Sequence, residues 1–425
     1  MNQAAGSKAL PLLPFALAVL EVLYLIGAAH FAGLLSVVGA DFRALYAAAR
    51  IAREAGFPFI YDLQRHITVQ ESLCQVAGPD APCVLIPMVF LPVFLLPVLP
   101  LTVLSPVPAF ALWSAMNLFG TAALLYLWYG RGVLRPSNDP FPPARRRCIA
   151  LALVSFPVFA NLLWGQSNLW LMLCVGAFLG EWERRNPFRA GLWASGLLLK
   201  PQTMVLLLPA LALARQWKVL AGALTGMVTL TGASFLLVGP SGMAAWAGLL
   251  SGFSLPTPGL VPGVVGVETM MNWRSIGVLL ADVFPPSVAW ALAGGGMALT
   301  AGAALWAARR ADLRSPADPE RFTLGVLAAT CAATWHAHSH TAMVLLPPLL
   351  SLEAREALPP RALALWSLLP AWVPFANIAL QAFGLLPPIA GLDALVAGKI
   401  LFGFSLYFTA WTAFLTGHPT DYKRI

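Results

Sequence analysis

The run ALPLLPFALAVLEVLYLIGAAHFAGLLSVV (residues 9–38), followed at once by GADFRALYAAAR (residues 39–50), decides how this chain is read. The first part stays apolar for longer than the roughly 20 residues that cross a bilayer. It ends at Asp41, which puts a carboxylate where lipid meets water. Apolar and basic residues then interleave through Arg43, Leu45, Tyr46 and Arg50, an amphipathic pattern that predicts a juxtamembrane helix. Lys8 ahead of the run gives it the look of a secretory leader. The run is too long for one, and further apolar segments follow, so an uncleaved first helix is expected.

Working outward, composition sets the class. The chain is 59% hydrophobic and 10% charged, with a mean hydropathy of +0.76. Soluble domains carry about 25% charged residues, so a polytopic membrane protein is expected, as one integral membrane domain over residues 1–425. The longest hydrophilic stretch runs from about Asp41 to Pro82, inside a first outer loop over 41–108, and no separate soluble domain is visible.

Charge predicts the topology. Basic residues gather at 130–147 (Arg131, Arg135, Arg145, Arg146, Arg147), 181–189 (Arg184, Arg185, Arg189), 215–218 (Arg215, Lys218) and 309–321 (Arg309, Arg310, Arg314, Arg321). More lie at 353–361 (Arg355, Arg361) and in the tail (Lys423, Arg424). The positive-inside rule makes that side cytoplasmic. The net charge of +8 thus reflects topology and gives no support to nucleic-acid binding. Spans are expected near 9–38, 109–129, 147–163, 168–182, 190–200, 203–214, 219–238, 287–308, 322–335, 341–352, 362–382 and 391–415, about twelve crossings. Between Cys83 and Pro108 six prolines punctuate the chain, which predicts a broken or re-entrant element.

The other side holds the residues with chemistry. Asp41 has two compatible readings, a helix cap and a general base. Arg43, Arg50 and Arg53 follow it, either as phosphate ligands or partners of Asp41, or as a solvated face. Tyr61-Asp62 closes the loop, with Asp62 a turn residue or a second acid. Gln166 and Asn168 sit in the turn Gly165-Gln166-Ser167-Asn168, where amides can read sugar hydroxyls or simply cap a helix. Lys200-Pro201-Gln202 interrupts an apolar run; a lysine there is costly, which marks it for phosphate binding unless it snorkels to the headgroups. Arg274, in Asn272-Trp273-Arg274-Ser275, could grip phosphate or anchor at the interface with Trp273. His336, His338 and His340 are compact enough for acid, base or phosphate-donor work; no carboxylate lies near them in sequence, and neither a metal nor any cofactor is expected. Cys74 and Cys83 share the loop and could form a disulfide. Glu21 lies unexplained inside the first apolar run.

This series of motifs resembles glycosyltransferase family 87, relatives of the mycobacterial polyprenyl-phosphomannose-dependent mannosyltransferases. The likeness begins with Asp41-Phe42, Tyr46, Ala48-Ala49, Gly56 and Tyr61-Asp62. It continues through Gly165–Asn168, Lys200–Gln202 and Asn272–Ser275 to the histidine segment before Met343–Pro348. The chain departs from the pattern at Leu85-Ile86-Pro87-Met88, where the family has an aromatic-x-Tyr-Pro-Pro element, and at His338-Ser339-His340-Thr341, where it often has His-Asp-Tyr-Asp. The resemblance implies a GT-C fold. It also implies transfer of a sugar from a polyprenyl-phosphate donor to a lipid or glycan acceptor on the outer face of the cytoplasmic (bacterial inner) membrane. Asp41 matches the family's catalytic aspartate, and Lys200, Gln202, Arg274 and His338 or His340 match or lie near its polar positions. The rival expectation is a transporter or lipid flippase, which many spans and broken helices also suit.

Overall fold

The computed structural model describes residues 13–31, 38–74, 86–130, 143–254, 270–281, 283–311, 313 and 318–355. Among them the fold is all-helical, and an isolated bridge between Met270 and His338 takes the place of any strand. The expected spans 362–382 and 391–415, and Cys83 with the proposed Cys74 pairing, lie outside the described residues.

Helix α1 (Leu13–Phe31) is followed by α2 (Ala40–Glu54) and α3 (Leu63–Cys74). The proline-rich stretch then forms only 3₁₀ turns at Pro92–Leu95 and Leu99–Val103 before α4 (Pro106–Leu125). That is the interruption its prolines predict, since each lacks an N–H and clashes with the preceding turn. Helices α5 (Pro143–Leu153) and α6 (Phe156–Trp164) form a pair bent by 42°. They lead into α7 (Asn168–Glu183), α8 (Pro187–Ala194) and α9 (Leu207–Leu213). Next comes α10 (Trp217–Ser254), broken where Gly239 adopts φ 69° ahead of Pro240. Then follow α11 (Trp273–Ala281), α12 (Pro286–Arg310), α13 (Asp318–Ala333) and α14 (Leu346–Ala354).

Three of these helical stretches, Pro106–Trp128, Trp217–Ser251 and Pro286–Arg310, are long and apolar enough to cross a membrane. A fourth span results if the bent pair counts as one. The expected count of about twelve is therefore not what the described residues show. The expected spans 190–200 and 203–214 are the clearest departure. Lys200-Pro201 divides that stretch into α8, 3₁₀ turns at Ser195–Leu199 and Pro201–Met204, and the 7-residue α9. At 1.5 Å per residue, α9 covers about a third of a hydrocarbon core. The expected end of a span at Val238 coincides with the break in α10, but the chain resumes as helix to Ser254 instead of entering a loop. Outward faces of the long helices are apolar, as at Phe119, Val228, Leu236 and Leu299, which suits contact with lipid.

Two hydrophobic clusters organise the interior. In the smaller, Phe42, Leu45, Tyr46, Ile60 and Tyr61 from the α2–α3 region pack with Leu95, Val98, Leu101, Trp113 and Val238. The larger joins α7, α8, α9, α13 and α14 with the 3₁₀ segment Ser339–Leu345. The candidate site lies where these clusters meet, because Asp41 precedes Phe42 of the first and Lys200 follows Leu199 of the second.

Candidate active site

Two glycines bring Asp41 and its partners together. Gly39, at φ 69°, is the residue that caps α2, and its N–H donates to Leu163 O at 2.8 Å, tying the start of α2 to the end of α6. Asp41 is thus not the cap; it stands in the first turn of α2, where the helix dipole favours an anion. Gly165, also at φ 69°, ends α6. A β-carbon there would sit 2.6 Å from Phe42 Cβ and 3.0 Å from the Phe110 ring, so only glycine lets the two segments close up. Its carbonyl accepts a hydrogen bond from Trp113 Nε1 at 2.9 Å. Gln166, next in the chain, is delivered to Asp41 and hydrogen-bonds its carboxylate.

Gln166 also faces the other way. Lys200 Nζ donates to Gln166 Oε1 at 2.8 Å. Lys200 is buried, held between the two 3₁₀ turns that Pro201 enforces. Acid, amide and lysine therefore form one line drawn from α2, the α6–α7 turn and the 200–202 break. The charges of Lys200 and Arg43 act on Asp41 as well. Burial is the larger influence, and it holds the Asp41 carboxyl above the usual carboxylate range; the Gln166 hydrogen bond and the two cations pull it back part of the way.

The third wall is the histidine segment. His336 and His338 rings meet edge-on at 4.8 Å, and His338 stacks on His340 at 5.4 Å. Burial, with Lys200 and neighbouring imidazoles adding to it, keeps His336 and His340 well below the usual histidine range, so they are neutral hydrogen-bonding groups. Among the described residues no three His, Cys, Asp or Glu side chains are grouped to hold a metal ion. The segment is joined to 270–275 by Met271 N–H donating to Ala337 O at 2.9 Å. Arg274 lies over the Trp335 ring at 4.2 Å and donates to Trp335 O at 3.3 Å.

The remaining candidates fall into two groups. Asn168 donates to His340 O at 3.0 Å, and Asn272 donates to Thr334 O at 2.9 Å while accepting from Ser275 N–H, so both amides help build the walls. Gln202 is half-buried in the turn after Lys200. Arg43 is half-buried beside Asp41. Tyr46 is buried and donates to Leu104 O at 2.8 Å, binding α2 to the chain ahead of α4. Asp62 accepts from Arg65 N–H at 3.1 Å and pairs with the Arg65 side chain at 3.3 Å, which makes it a cap for α3. Ser167 Oγ, Asn168 Oδ1 and Arg274 Nε are buried around the site and make no hydrogen bond among the described residues. Burying such groups unpaired costs about 1–3 kcal/mol each, so they mark places where a polar ligand would be welcome.

Sequence reading missed the ladder behind the site. Asn117 donates to Trp113 O, Asn161 donates to Asn117 Oδ1 at 3.3 Å, and Asn168 N–H donates to Asn161 Oδ1 at 3.1 Å. The available signal was two asparagines inside otherwise apolar helices, which seldom stand there without a partner.

A carboxylate, an amide and a lysine, gathered where two apolar cores of an all-helical chain meet, define a membrane protein equipped for acid–base and anion chemistry. Residues 90–348 match the model of glycosyltransferase family 87. The match takes in more than half of the chain, which therefore belongs to glycosyltransferase family 87 and is a membrane glycosyltransferase. It includes Gln166, Lys200, Arg274 and the histidines, while Asp41 precedes it. No curated protein and no solved structure matches the chain.

Proposed function

We propose that this glycosyltransferase moves a hexose or pentose from a polyprenyl-phosphate donor to a lipid or glycan acceptor, with the whole chain acting as one integral membrane domain. The observation that carries the reading is the line Asp41, Gln166, Lys200. In a sugar phosphodiester the leaving group is already activated, so two tasks remain. The acceptor hydroxyl must lose a proton as its oxygen attacks the anomeric carbon, and Asp41 would take that proton. The C–O bond to phosphate breaks as the new glycosidic bond forms, and the charge left on the polyprenyl phosphate needs cations; Lys200 and Arg274 would supply them, with His338 or neutral His340 donating hydrogen bonds. Fixed donors in a poorly hydrated site are worth several kcal/mol of transition-state stabilisation. One base and direct displacement give inversion at the anomeric carbon. Arg43 and Gln202 would complete the polar lining, and Ser167 Oγ and Asn168 Oδ1 offer bonds to sugar hydroxyls. The basic loops support a site on the outer face of the cytoplasmic membrane. Family membership favours the transferase over the rival transporter.

The test is sugar transfer by purified protein in nanodiscs, with radiolabelled polyprenyl-phosphate mannose, glucose, galactose or arabinose and a membrane lipid extract as acceptor. Asp41→Asn, folded and inserted, is expected to lose about 10²–10⁴ in rate. Equal rates for the two proteins would remove Asp41 from the chemistry.

A further inference from the structure

A second polar feature lies among the arginines, far along the fold from the histidine segment. The C-terminal end of α7, the N-terminal end of α13 and the end of α14 meet there, and Arg355 joins them. Its guanidinium donates to Glu183 Oε1 at 2.8 Å and lies 3.1 Å from Glu320 Oε1. Ser351 Oγ donates to the same Glu320 oxygen at 2.9 Å. Two carboxylates thus share one guanidinium. Glu320 is 3% exposed, and its other oxygen, Oε2, is buried with no hydrogen-bond partner among the described residues. A buried carboxylate oxygen without a donor is among the most costly groups a fold can hold.

That residue lines a crevice of about 50 Å³. Glu183, Glu320 and Ser351 form its polar end, and Leu125, Trp128, Leu179 and Leu350 its apolar wall. Gly180 is also at the wall, and a β-carbon there would meet nothing within 4 Å. The space holds a small head group but not a bulky body. Among the described residues none donates to Glu320 Oε2, and the apolar wall suits a head group carried on hydrocarbon.

We infer that the crevice between α7, α13 and α14 is a binding site for a primary ammonium group carried on an apolar chain, with Glu320 Oε2 as its acceptor. Such a group could belong to an aminolipid headgroup or to a free alkylamine. The site is separate from the transfer chemistry, so it stands or falls independently of the donor and acceptor proposed above.

The probe is an alkyl diazirine with a terminal ammonium, alongside its alcohol isostere, each photolysed with the full-length protein in phosphatidylcholine nanodiscs and mapped by mass spectrometry. The amine is expected to label the α7 and α14 peptides that line the crevice, with the alcohol labelling them about tenfold less, the loss expected when a charged donor is removed. Glu320→Gln is expected to weaken amine labelling to a similar degree. Gly180→Leu, at a position where a β-carbon meets nothing within 4 Å, is the second variant and should abolish labelling at unchanged thermal stability. Competition by phosphatidylethanolamine vesicle lipid would identify a lipid source; labelling without such competition would identify a free amine. Equal labelling by amine and alcohol, or full labelling of a folded Gly180→Leu, would overturn the inference.

Discussion

Gln166 has two polar ends, and the site uses both: its carbonyl oxygen accepts from Lys200, and its amide nitrogen serves Asp41. A proton balance follows. As the proposed base, Asp41 would work only when deprotonated, so the rate should fall as pH drops through its pKa. Burial raises that pKa and the Gln166 hydrogen bond lowers it. In wild type the acid limb of kcat/KM should therefore lie above the value of about 3.9 typical of a free aspartate. Gln166→Leu removes a lowering influence, so its acid limb should move to still higher pH. A limb that stays in place, or moves down, would show that another group titrates. Tyr46 belongs at this scale too. Its hydroxyl bonds Leu104 O inside the smaller core, so Tyr46→Phe should cost about 1 kcal/mol in thermal or denaturant unfolding and leave kcat/KM unchanged. Loss of rate without loss of stability would instead place Tyr46 against substrate.

At the scale of elements, the site depends on how α2 meets the α6–α7 turn. Gly165→Ala puts a methyl group into the space of Phe42 and Phe110 and forces a non-glycine residue to φ 69°. The backbone conformation alone costs about 1–2 kcal/mol, and the overlap adds to it. The expected relief is a turn that moves Gln166 off Asp41, lowering kcat by an order of magnitude or more while the protein still inserts, since a displacement of about 1 Å can cost 10²-fold. Wild-type kcat in a folded Gly165→Ala would show that the approach is not needed. Elements were legible in sequence where proline or an amphipathic period speaks locally. The broken stretch before Pro106, the helix after Asp41 and the interruption at Lys200-Pro201 were all readable that way. The close approach at Gly165 was not, because a glycine demanded by a neighbour 120 residues away in the chain looks the same as one demanded by a turn.

For the whole molecule, apolar length alone was a poor guide to helix length. Runs such as 190–214 read as paired spans, yet they fold as short helices and 3₁₀ turns packed inside, because lysine, proline and buried neighbours override a hydropathy window. Of the site, the individual residues Asp41, Gln166 and Lys200 could be picked from the chain; their connection through one amide could not, since it joins three elements distant in sequence. Orientation remains a matter for labelling. Glu71 is exposed on α3 and Arg185 is exposed after α7. In a background lacking the native cysteines, Glu71→Cys should react with an impermeant maleimide in intact spheroplasts, and Arg185→Cys only after permeabilisation. The reverse pattern would put the site in the cytoplasm.

The bond from Gly39 N–H to Leu163 O is made entirely of peptide atoms. No side-chain replacement at either position deletes its donor or acceptor, save a proline at 39. The spacing between the carboxylate's helix and the amide's turn rests on main chain at Leu163 and on a glycine at 39, where φ is 69° and a β-carbon would sit 2.9 Å from the Phe110 ring. The contact therefore tolerates a change of side chain at Leu163 and admits none at Gly39 without moving α2.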